Sequence, residues 1–289
     1  MKTKSLKQRK PALKYRPNYS ADALGGIRLK LKRAWQQLNT LKAEIATFID
    51  ARPYMPDVHF NRKTKRLTLV VNVQKPPDPM WGIQVGEIVH NFRSALDHVV
   101  WELAGHPPAR TTKTQFPIFD TEAGFLDHGT KRFLENVDPV AVALIKSEQP
   151  FFRRRDGGPE GTTHSPLWHL KELSDIDKHR TIHLTGATLE SHRFDFPKVA
   201  QTFTLVDVQE HPGGPIKQDT VLWTAILHGA TDWPFEPGDI NVRLEAEVAF
   251  ESGTPAPGVW GVIGTVVQLG NRTEGILRRI ATDILKTEL

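Results

Sequence analysis

Apolar residues recur at three- and four-residue steps along two long stretches of the chain, and each recurrence predicts an amphipathic helix. In the first, Ile27, Leu31, Ala34, Leu38, Leu41, Ile45 and Phe48 form one seam, with Ser20 as an N-cap and Pro53 beyond the end. Gly25 and Gly26 are expected to fray its start. The second stretch, residues 79–104, carries Val85, Ile88, Val89, Phe92, Leu96, Val99 and Leu103 on one stripe. Asp78 suits its N-cap and Pro79 its first position, where a missing N–H costs nothing. Gly105 supplies a C-cap, and Pro107 and Pro108 block continuation. The opposite face of this helix bears Glu87, His90, Arg93, Ser94, Asp97, His98 and Trp101.

Other stretches are shorter. The β-prone runs VHFN and RLTLVVNV, separated by RKTK, predict a hairpin over 57–74, stopped by Pro76 and Pro77. Two short helices are expected within 122–147 and a loop over 150–165. Ser165 and Pro166 open a further helix, PLWHLKELSDIDKHRTIHL, with Trp168, Glu172, Asp175, His179 and His183 on its polar face. After residue 188 come five β-like runs, 190–196, 201–210, 220–228, 239–251 and 259–268. A last helix over 272–287 has a capping-box-like start at Asn271 and Glu274.

Together these elements predict an α+β chain. A basic disordered tail (1–20) precedes a helical core (21–188) that contains the hairpin. An antiparallel β region (189–268) follows, and a C-terminal helix (269–289) returns to the core.

Charge sharpens this picture. The tail holds seven of the 38 basic residues and no acid, which leaves 31 basic against 33 acidic residues in the rest, a net of −2. The net charge of +5 is therefore a property of the tail, which adds non-specific attraction for phosphate or simple solubility. With no cysteine, disulfides, thiol catalysis and thiolate metal sites are excluded, as befits a cytoplasmic protein. No apolar run has the length of a membrane span, and no P-loop, dinucleotide fingerprint or nucleophile elbow is present, so neither a membrane nor a cofactor is expected.

The candidate chemistry lies on the central helix. Arg93 and His98 form an Arg-x4-His pair, set about 140° apart around the helix, with Asp97 between them. An arginine neutralises phosphate and a histidine exchanges protons near neutral pH, a minimal kit for metal-independent phosphodiester cleavage. The spacing alone arises about once by chance in a chain of this composition. Its bland reading is an ion-pair network with Arg93 held by Asp97.

The segment GEIVHNFRSALDHVVWEL, with Asn91, Arg93 and His98 in mid-helix, resembles the HEPN superfamily of helical nucleotide-binding and RNase domains. It also looks like a group of bacterial proteins that pair an N-x-R-S-A-L-D-H segment with a later D-K-H-R segment, here Asp177 to Arg180. The resemblance implies a homodimer with a composite endoribonuclease site. Arg93 would polarise the scissile phosphate, and His98 would assist proton transfer. Asp97 joins them as a catalytic candidate, and Asn91, Ser94, Arg153, Arg154 and Arg155 as RNA-binding ones. Ser94 stands where many active members carry Asn, Asp or His. Two other functions stay open. Asp175 and His179, with Asp177 and Arg180 nearby, suit a metal-dependent hydrolase or a second shell to His98. The third is a non-catalytic interaction protein that uses Arg93 as structural glue.

Overall fold

Helix α1 (Gly25–Asp50) buries the whole predicted seam, from Ile27 through Leu31, Ala34, Leu38, Leu41 and Ile45 to Phe48. It closes on Arg52, which takes a left-handed conformation (φ 53°) and donates its N–H to Ile49 O at 2.9 Å, a turn more often made by glycine. The computed structural model describes residues 24–106, 113–153, 165–195, 204–210, 215–229, 241–251, 254 and 261–289. The basic tail and the Ser20 cap lie outside these residues.

The architecture is α+β, with antiparallel sheets and a C-terminal helix after the strands. After α1 come β1 (Tyr54–Asn61), β2 (Arg66–Val73) and α2 (Met80–Leu103). A short α3 (Glu122–Gly124) runs on as a π-helix over Phe125–Phe133, followed by α4 (Pro139–Ser147), α5 (Pro150–Arg153) and α6 (Pro166–His179). The strands β3 (Leu184–Asp195), β4 (Thr204–Glu210), β5 (Pro215–Ile216), β6 (Thr220–His228) and β7 (Asn241–Phe250) precede α7 (Val262–Ile280), which continues as a π-helical turn over Ala281–Leu285. Among the described residues no helix is long and apolar enough to cross a membrane.

Two compact units divide these elements. One holds the described residues of Met1–Arg33, His90–Lys171 and Leu269–Leu289; the other holds Ala34–Val89 and those of Glu172–Gln268. In the first unit the Glu148 side chain is fully buried at the end of α4 and pairs with Arg272 (2.5 Å) and Arg279 of α7. Arg272 also donates to the Glu148 carbonyl at 3.0 Å. Two guanidinium groups around one carboxylate offset the cost of burying it.

The second unit contains both sheets, ordered β1-β2-β6-β4 and β5-β3-β7. The hairpin is therefore not separate from the later strands, as the sequence pattern suggests, because β2 pairs with β6. Its first strand also starts earlier, at Tyr54, and includes Pro56; β1 is an edge strand, where a missing N–H is tolerated.

Two further expectations are corrected. Of the expected strand 259–268, the described residues 262–268 are helical rather than extended, since α7 begins at Val262 and buries Val262, Val266, Leu269, Ile276, Leu277 and Ile280 at helical spacing. Asn271 consequently lies inside the helix and caps nothing, while Glu274 pairs with Arg278 one turn on. The helix from Pro166 stops at His179, so His183 is not on its polar face and sits just before β3.

Two contacts in this unit carry measurable consequences. The Tyr54 ring packs on Gly186 of β3, where a Cβ would fall 2.3 Å from its Oη. That hydroxyl is buried with no hydrogen-bond partner among the described residues, and burial pushes its pKa up to about 12. Tyr54→Phe is expected to raise unfolding free energy by about 1 kcal/mol in urea titration, because it deletes an unsatisfied buried group.

Glu247 of β7 lies against Gly261, just before α7, and burial raises its carboxyl above the ordinary range despite the hydrogen bond accepted from Gly261 N–H. The folded state thus binds this proton more tightly than the unfolded state. Stability from this group is full below the unfolded value, around pH 4, and falls as pH rises through the folded one. Glu247→Gln should melt higher than wild type at pH 7, with the advantage vanishing in acid; equal melting at both pH values would contradict this.

Candidate functional site

The site is built on α2. The Asp78 carboxylate accepts the Met80 N–H at 2.9 Å, and the helix ends where Gly105 (φ 73°) and His106 (φ 58°) turn left-handed. Val85, Ile88, Val89, Phe92, Leu96, Val99 and Leu103 are all fully buried, which fixes the rotation of the helix and hence of its polar face. On that face Glu87, His90, His98 and Trp101 are exposed, while Asn91, Arg93, Ser94 and Asp97 are half-buried.

Arg93 and Asp97 come together. Arg93 Nη2 lies 3.0 Å from Asp97 Oδ1 and donates to the Phe116 carbonyl at 2.6 Å. The same Asp97 oxygen accepts the Phe116 N–H at 2.8 Å. One ion pair therefore satisfies both backbone groups of Phe116. At the other end of the run 116–119, buried Gln149 repeats the arrangement, accepting the Phe119 N–H at 3.0 Å and donating to the Pro117 carbonyl at 2.8 Å. Among the described residues the run 116–119 has no strand paired with it, and side chains from the surrounding helical segments replace the missing ladder. Arg93 Nη1 is buried without a hydrogen-bond partner among the described residues.

His98 does not share this contact. It is exposed and stands beside α1, where a Cβ on Gly26 would lie 3.6 Å from its Nδ1. Arg93 and His98 thus diverge around the helix, as five residues of α-helix require.

The other candidates are scattered more widely. Arg153 ends α5 by its backbone, while its side chain and all of Arg154 and Arg155 lie outside the described residues. Asp175 pairs with Lys178 at 3.1 Å, and His179 and Arg180 are exposed. Asp177 packs on α2, where a Cβ at Gly86 would fall 1.9 Å from its Oδ1. One turn earlier, a Cβ at Gly82 would strike the Ile182 carbonyl at 1.9 Å. These two glycines, four apart, let the end of α6 and the turn after it approach α2, a role their sequence spacing alone does not announce. Among the described residues no three His, Asp or Glu side chains gather closely enough to hold a metal ion.

Comparison of the chain with protein-family models, curated proteins and solved structures finds no match.

The Arg93–Asp97–Phe116 contact predicts strong coupling. Arg93→Ala and Asp97→Ala should each cost about 1–3 kcal/mol, since each leaves its half-buried partner and the Phe116 backbone under-satisfied. The double variant should cost clearly less than the two added together. Additive losses in a double-mutant cycle would show that the pair does not act as a unit.

Proposed function

We propose that this chain is a HEPN-like protein that binds RNA and cleaves it without a metal, with His98 as the proton-transfer group. The observation that supports this reading is an exposed imidazole that directly follows a half-buried arginine–carboxylate pair along one helix. In the proposed reaction neutral His98 takes the ribose 2′-hydroxyl proton. The 2′-oxygen forms a bond to phosphorus, the bond to the 5′-oxygen breaks, and a cyclic phosphate remains. The leaving oxygen takes up a proton, from the imidazolium of a second protomer or from water.

Arg93 contributes differently from an arginine that is free to grip phosphate. Its Nη2 is engaged by Phe116 and Asp97, so on this reading its charge acts on the phosphate mainly from a fixed position. Asp97 is then a positioning residue, and Asn91 and Ser94 line the same face. A homodimer that brings two α2 faces together would supply both halves of the site. The reading implies a cytoplasmic protein.

A second reading is favoured by the same contact. Arg93 holds the run after Gly105 to α2, which is what a non-catalytic interaction protein would need of it.

The test is cleavage of single-stranded RNA in EDTA by wild type, His98→Ala and Arg93→Ala, with melting temperatures taken in parallel. His98→Ala should melt like wild type and lose cleavage by at least about 100-fold, the scale of general acid–base catalysis. A drop in melting temperature is expected for Arg93→Ala only. Activity that appears only when a divalent metal is added would move the chemistry to the Asp175/His179 face. Silence under both conditions would leave the interaction protein.

A further inference from the structure

The end of α2 carries a feature that the proton-transfer reading does not use. The Trp101 indole and the His106 imidazole are stacked, with centroids 4.0 Å apart and planes 8° from parallel. Even so stacked, Trp101 remains 38% exposed. The arrangement is fixed from several directions. His106 sits in the left-handed region (φ 58°) and donates its backbone N–H to the Trp101 carbonyl at 3.2 Å. Its Nε2 lies 2.6 Å from Glu102 Oε2, and the Glu102 side chain is only 13% exposed. A large aromatic surface is thereby held in one orientation at the protein surface, with its ordering cost already met within the fold.

We infer that this Trp101–His106 stack is a base platform for single-stranded RNA, serving the nucleotide next to the phosphate at His98. The inference rests on the RNA-cleaving reading of α2 and adds to it where the base goes. Trp101 follows His98 by three residues, so the two side chains are neighbours on the same helix face. The chemistry of the surroundings selects a base over a phosphate. Glu102 contacts the edge of the imidazole, so the carboxylate beside the stack disfavours a backbone anion there. A base has no charge to repel, and its π-face matches the indole whatever its identity. Affinity from this platform is therefore expected to depend little on sequence.

The test uses the full chain carrying His98→Ala, so that RNA is bound without turnover. Fluorescence anisotropy with a labelled eight-nucleotide single-stranded RNA gives the affinity. Adding Trp101→Ala should weaken binding about tenfold or more, the scale of one lost base stack, while Trp101→Phe should retain most of it. With an oligonucleotide of the same length in which every position is abasic, the difference between the parent and its Trp101→Ala derivative should vanish. Equal affinity with and without the indole, at unchanged melting temperature, would overturn the platform while leaving RNA binding at α2 intact. A loss that persists with the fully abasic oligonucleotide would equally overturn it, because the indole would then be acting through something other than a base. Failure of the His98→Ala parent and of wild type to bind any such RNA would overturn the platform and the RNA-cleaving reading together.

Discussion

The extended run 116–119 imposes the constraint on which the candidate site depends. A chain segment packed among helices with buried residues at Phe116, Pro117 and Ile118 must find partners for its amides and carbonyls, or each lost bond costs free energy. With no strand paired to it among the described residues, the partners are side chains: Arg93 and Asp97 at one end, Gln149 at the other. This requirement holds the guanidinium at 13% exposure and aims it away from His98. The electrostatics of the α2 polar face are thus set by a backbone segment that lies well beyond the end of that helix in the chain.

The same physics recurs at Glu148. Its carboxylate is fully buried and held between Arg272 and Arg279, so the C-terminal helix is tied to the end of α4 by charge, and its own Ile276, Leu277 and Ile280 are buried. Both clusters are local solutions to polar groups that the packing has removed from water. Neither gains much net free energy, because attraction only offsets desolvation, but each penalises alternative arrangements in which a charge loses its partner.

The sequence is most legible where one face of a helix is buried along its whole length. The seams of α1 and α2 appear in the structure residue for residue because their apolar spacing has one solution. The start of α7 misleads for the opposite reason. Val259, Trp260, Val262, Ile263, Val266 and Val267 are β-prone side chains among glycines, and a short window through them reads as a strand. The helical period shows only when the window is extended to Ile280, past Asn271, whose cap-like appearance interrupts it. Within the site, the Arg93–Asp97 pair can be read from its four-residue spacing. Phe116 cannot, because a backbone group leaves no mark on residue type. Likewise, the role of Gly82 and Gly86 depends on where Ile182 and Asp177 arrive, which no local pattern encodes.

Helix geometry also decides what an Arg-x4-His pair can do. Five residues turn the second side chain about 140° from the first. Here the turn directs Arg93 to Phe116 and leaves His98 beside Gly26. One phosphate cannot easily touch both groups of a single helix while the arginine keeps its internal contacts. On the proposed reading, an arginine fixed by its own chain supplies a steady field, and the exposed histidine meets the substrate. A second copy of α2 would then be the natural source of any further catalytic group. The Asp97 contact that makes Arg93 look structural is, in that arrangement, also what keeps its charge in place for the reaction.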